Sequence, residues 1–87
     1  MSQHLILCRS LTTAQRAQRL LERSGIVSSV VKAPQELTGA GCGYSLSLYR
    51  HFEEADAILQ RSNIATGKRF VLMEDGRYRE LNHDLPR

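Results

Sequence analysis

Two thiols offer the most chemistry in this 87-residue chain, and their settings differ. Cys42 falls near the end of the segment Ala33-Pro34-Gln35-Glu36-Leu37-Thr38-Gly39-Ala40-Gly41-Cys42-Gly43, which holds three of the six glycines. Glycine is kept where the backbone must take positive φ or let another group come close, so three glycines around one thiol describe an exposed, shaped sulfur site. Gly41 and Gly43 flank Cys42 without side chains, which leaves its sulfur approachable and its neighbouring N–H groups able to turn toward an anion. A thiol reacts as thiolate, and a nearby cation or the amides of a helix N-terminus favour that form. Cys42 is therefore a candidate to carry sulfur or selenium as a persulfide or its selenium analogue. The competing reading makes it a small apolar residue opening a strand.

Cys8 follows the apolar run Leu5-Ile6-Leu7 and reads as a core or edge residue. A role for it as a second thiol, resolving a persulfide on Cys42, needs Cα atoms within roughly 7 Å of each other. Glu36 is either a proton acceptor for Cys42 or a solvated loop carboxylate. His4, His51 and His83 show no ligand spacing with either cysteine, so no metal site is expected. Phosphate-binding glycine patterns and a Ser-His-Asp order are both missing from the sequence.

The elements that would position these residues follow from hydrophobic period. Leu5 to Cys8 is a short central strand. Thr12 stands three residues before Gln15, a capping-box spacing, and Ala14, Ala17, Leu20 and Leu21 continue as a helix that Gly25 ends. Ile26 to Val31 reads as a second strand. Tyr44 to Tyr49 alternates, with Tyr44, Leu46 and Leu48 on a packed face and Ser45 and Ser47 on a wetter one. Phe52, Ala55, Ile58 and Leu59 repeat at helical spacing behind Glu53 and Glu54, and Asn63 or Gly67 would end that helix. Arg69 to Glu74 and Arg77 to Leu81 form a hairpin about Asp75-Gly76, taken as a two-residue turn.

The order βαββαβ plus a hairpin strand implies an α+β, ferredoxin-like open-faced sandwich: a mostly antiparallel sheet with two helices on one face. In that topology Cys8, Arg9, the helix start at Thr12 and the 34–43 loop all meet at one end of the sheet. Arg9 and the first helical turn would then supply the positive potential beside Cys42.

Composition bounds the rest. Residues 1–87 make one domain, with 82–87 expected to fray. Hydrophobic content of 41% and charged content of 24% exclude a disordered chain, and the apolar runs are too short to cross a bilayer. The start carries no signal-peptide pattern, so a cytoplasmic location is expected, where two cysteines do not form a structural disulfide framework. The net charge of +3 includes ten arginines spread along the chain, which favours weak attraction to polyanions and does not identify a specific nucleic-acid site.

The chain also resembles small bacterial domains described as selenium/sulfur carrier protein-like. The likeness runs over residues 4 to 60: a short strand ending near Ser10, a helix leading into Ser24-Gly25-Ile26, a strand into Pro34-x-Glu36-Leu37-Thr38, and a close on Cys42-Gly43. It implies a cysteine-centred carrier, with Pro34, Thr38, Cys42 and Gly43 as the transferable positions. Gln35 stands where those domains often carry an arginine, and Gly39-Ala40-Gly41 makes the loop about one residue longer. The resemblance implies a sulfur or selenium donor protein of desulfurase type, an acceptor protein and no cofactor. Pairing of two copies through an exposed sheet edge is also open. The opening is similar to a second family too, small prokaryotic signal-transducing proteins, which implies the alternative of a regulatory or interaction module whose Gly-rich loop binds a ligand or partner while Cys42 is incidental.

Overall fold

The computed structural model describes residues 3–38, 43–64 and 66–81. Its elements in chain order are β1 (His4–Cys8), α1 (Leu11–Arg23), β2 (Ser29–Lys32), α2 (Gln35–Thr38), β3 (Tyr44–Leu48), α3 (Phe52–Arg61), β4 (Thr66–Leu72) and β5 (Tyr78–Leu81). The architecture is α+β, with a five-stranded open sheet in the order β2-β3-β1-β4-β5. Every neighbouring pair in it is antiparallel. The hairpin strand β5 extends the sheet by one strand at its outer edge.

Central position explains the composition of β1. A strand with neighbours on both edges reads as a continuous apolar run when both of its faces are shielded, and Leu5 on one face is buried as Ile6 and Cys8 are on the other. Alternation puts Ile6 and Cys8 on the same face as Leu46 and Leu48, which lie opposite Ile6 and His4 in the β1/β3 register. That face meets Ala14, Ala17 and Leu21 of α1 and Phe52, Ala55 and Leu59 of α3 in one core cluster. The helix residues recur at i, i+3 and i+7, the spacing of a helix that buries one stripe.

Several local expectations change. The second strand, expected from Ile26 to Val31, is Ser29–Lys32, because Ile26 N–H is taken up in the cap of α1. α1 starts earlier than Thr12: Ser10 is the N-cap, its Oγ accepting from the Thr13 N–H at 3.2 Å. A serine in extended conformation just before the first turn outcompetes a threonine already inside it. The 74–76 turn holds three residues, because Met73 N–H donates to the Arg77 carbonyl (2.8 Å) and Gly76 N–H to the Met73 carbonyl (3.0 Å). With Gly76 at φ 86° this is a type I turn followed by a left-handed residue. The serine face of β3 is closed: Ser45 and Ser47 are buried, since these small side chains lie between larger cross-strand neighbours, Leu7 and Val31 for Ser45 and Leu5 for Ser47. Gln3 Nε2 also donates to Ser47 Oγ at 2.7 Å.

Both long helices end in the same way. Ile26 N–H reaches the Leu21 carbonyl and Gly25 N–H the Glu22 carbonyl; Ile64 N–H reaches Leu59 and Asn63 N–H reaches Gln60. These are paired Schellman caps, with Gly25 (φ 82°) and Asn63 (φ 57°) as the left-handed residues and an isoleucine following each. Of the two stops considered for α3, Asn63 is the one used, while Gly67 lies inside β4.

One polar contact crosses the core layer. Asp56 is buried on α3, and its carboxylate accepts from Arg69 Nε on β4 and from Gln60 Nε2 at 3.1 Å. A bulge makes this possible. Cys8 pairs with Thr66 but Ile6 pairs with Arg69, so one extra residue on β4 turns Arg69 onto the helix face. Replacing Asp56 by Ala leaves that guanidinium uncompensated, and urea denaturation should show a loss of about 3 kcal/mol. Gly25→Ala, which forces a Cβ into left-handed geometry, should cost about 1 kcal/mol by the same measurement.

Candidate functional site

Cross-strand register decides what gathers at the loop end of the sheet. Lys32 lies opposite Tyr44, Tyr44 opposite Cys8, and Cys8 opposite Thr66, so the ends of four strands form one row. Arg9 and Ser10 follow Cys8 directly and are exposed, and Ser10 caps α1 there. Thr12 is exposed in the first turn. That turn carries no acidic side chain, so nothing on α1 offsets the positive end of its dipole.

The glycine segment is anchored at its base. Ala33 N–H donates to the Gly43 carbonyl at 3.0 Å, continuing the β2/β3 ladder by one step. Pro34, half-buried, stands just before α2, and its carbonyl accepts from Leu37 N–H at 2.9 Å. The sequence pattern alone reads as loop here. Four residues are below the length at which helical periodicity can be seen, although a proline at a helix start is a recognised signal. Glu36 is exposed on this turn, and Thr38 ends it. Cys42 and Gly41, with Gly39 and Ala40, lie outside the described residues.

The row also brings in a cation that the sequence did not single out. Lys32 is exposed at the end of β2, beside Tyr44 and one residue before the base of the loop. Neither Lys32 nor Arg9 forms an ion pair among the described residues. Only its place immediately ahead of Ala33-Pro34 could have flagged Lys32.

Cys8 is a core residue. It is buried in the cluster with Ile6, Ala14 and Leu46, and its thiol donates to the Ile6 carbonyl at 3.7 Å. Burial pushes its pKa up from 9.0 to about 11, because the apolar surroundings disfavour the thiolate. Such a thiol is a weak nucleophile at neutral pH. Among the described residues no group of three or more His, Cys, Asp or Glu side chains could hold a metal ion, and no helix is long and apolar enough to cross a membrane.

The fold and this end of it define a small α+β domain in which the 33–43 segment is anchored at its base, at the end of an antiparallel sheet where Arg9 and Lys32 are exposed. Residues 3–70 match the family described as Putative Se/S carrier protein-like, and the chain belongs to that family. The match extends past the Pro34 to Gly43 segment into β4. No curated protein and no solved structure matches the chain.

The raised pKa has two measurable consequences. In a Cys42→Ser variant, Cys8 is the remaining thiol and should resist alkylation at pH 8 in the folded protein, becoming reactive once urea unfolds the chain. The folded pKa lies above the unfolded one, so the protonated thiol's contribution to stability is complete below pH 9 and is lost as pH rises toward 11. Wild-type stability should therefore fall by up to about 2 kcal/mol more than that of Cys8→Ala across that window, as followed by urea titration at each pH.

Proposed function

We propose that this protein carries sulfur or selenium on Cys42 and passes it to a partner by thiol exchange. The observation that carries the reading is the Ala33–Gly43 anchor, which ties the base of the Cys42 segment to the sheet end where Arg9, Lys32 and the start of α1 stand. Family membership supports it independently. In the transfer, the Cys42 thiolate attacks the terminal sulfur of a persulfide on a desulfurase-like donor. The donor's S–S bond breaks, its cysteine leaves as thiolate, and a new S–S bond forms on Cys42. Oxidation level is conserved, since the sulfane sulfur moves as a unit. The reverse geometry, attack by an acceptor thiolate on the terminal sulfur of Cys42, delivers the cargo.

The bound persulfide is an anion, and the work of the protein is to stabilise it. In this reading Arg9 and Lys32 supply charge, while Thr12, Gly41 and Gly43 offer hydroxyl and N–H donors. Pro34 and Thr38 set the loop's path on either side of the α2 turn. Lys32 or Arg9 takes the place of the arginine that Gln35 replaces. Cys8 stays in the core and does not resolve the persulfide. We read the portion from β1 to β4 as ferredoxin-like, with β1 between β3 and β4 and β5 added outside, and place the carrier in the cytoplasm without a cofactor.

Intact mass after incubation with a cysteine desulfurase and cysteine tests the proposal. A gain of about 32 Da on wild type that is reversed by dithiothreitol, and is absent from Cys42→Ser, is the expected result. Arg9→Ala and Lys32→Ala should each slow loading several-fold. Loading of Cys42→Ser to the wild-type level would refute the assignment.

A second reading has its own observation. Val27 is 86% exposed and Tyr49 57%, and both line a cleft of about 490 Å³ with Gly25, Arg50 and His51. This cleft is at the end of the sheet opposite the cysteine loop, because Tyr49 follows Leu48, the partner of His4 at the start of β1. An interaction module acting through such surfaces would bind its partner equally well after Cys42→Ser.

A further inference from the structure

The solvent face of α1 is basic in a way that neither fold nor sulfur chemistry uses. Arg16, Arg19 and Arg23 line a groove of about 290 Å³ whose remaining walls are Leu20, Ser62 and Ile64. The arginines are spaced three and four residues apart, so they share one helical face over a rise of about 10 Å. No carboxylate lines the groove, and none of the three forms an ion pair among the described residues. Arg23, in the last turn of α1, complements the helix dipole. Arg16 and Arg19 sit in mid-helix and have no such role.

The floor of the groove is apolar. Leu20 and Ile64 are partly buried, packing against the core below while keeping some surface open. An apolar strip between three exposed guanidinium groups suits a surface that offers carboxylates around an aliphatic side chain. The spread of charge is too long for one small anion. A nucleic-acid strand would also match cations at this spacing, but the groove has no aromatic side chain on which a base could stack, and Glu22 stands between Arg19 and Arg23 in the sequence.

We propose that the α1 groove docks an acidic helix of a partner protein, with glutamates or aspartates at i, i+3 and i+7 meeting Arg16, Arg19 and Arg23, and a leucine or isoleucine entering between Leu20 and Ile64. This surface is separate from the sulfur chemistry, and Cys42→Ser should leave it intact.

The probe is a short, fluorescently labelled, stapled helical peptide with three glutamates at that spacing around a leucine, titrated with the full chain at low salt. Binding in the micromolar range is expected. Arg16→Glu combined with Arg19→Glu should weaken it by about tenfold or more, as reversed charge replaces attraction with repulsion. A peptide whose central leucine is replaced by alanine should bind several-fold more weakly, and added salt should dissociate the complex. Circular dichroism of the double variant should match wild type, since both arginines are exposed. The proposal is overturned if the peptide does not bind, if the double variant binds it as well as wild type, if the alanine peptide binds equally, or if a single-stranded RNA oligomer binds more tightly than the peptide.

Discussion

The pairing of β1 with both β3 and β4 is the constraint from which the rest of the molecule follows. Its register places Ile6 between Leu46 and Arg69, and with them the layer that α1 and α3 cover. The same register puts Cys8 level with Tyr44 and Thr66, so it also decides which chain ends share the loop end of the sheet. A slip of one residue would turn every apolar side chain of β1 to the other face. Core and candidate site are therefore set by one set of backbone hydrogen bonds.

Around that ladder the helices are fixed by different means. α1 has a serine at its start, a Schellman cap at its end, and only small or aliphatic residues toward the sheet. α3 has no side-chain hydrogen bond at its N-cap, His51, which sits in left-handed conformation with Nδ1 2.9 Å from Glu54. It depends instead on Phe52, whose ring stacks on that of His4 at 4.4 Å, and on the Asp56 contact with Arg69. A buried charged pair is seldom the most stabilising choice for a core, but it is selective. It ties α3 to β4 through a directional contact, where Leu59 and Ile58 contribute only non-directional packing.

Much of this was legible in the residues. Alternation in Tyr44-Ser45-Leu46-Ser47-Leu48 and the repeats in both long helices identified those elements, and Gly25 marked the end of α1. Other features resisted for physical reasons. α2 is too short to show a period. The buried state of Ser45 depends on the bulk of Leu7 and Val31 across the sheet, which alternation along one strand cannot report. The register of Arg69 follows a bulge, and Gly67, which can mark one, reads equally well as the end of a helix. At the candidate site, the position of Arg9 at the same end of the sheet as the loop base followed from topology alone. Lys32 was missed because a lysine ending a strand is the commonest of surface residues.

The Ala33–Gly43 hydrogen bond divides the chain into two regimes of physical constraint. Below it, every substitution must satisfy the sheet and the helices at once. Above it, chain length can change at a cost that grows only logarithmically with the number of residues enclosed. A scaffold of this kind behaves as a socket: the segment held between Ala33 and Gly43 can be exchanged while the body that presents it stays unaltered.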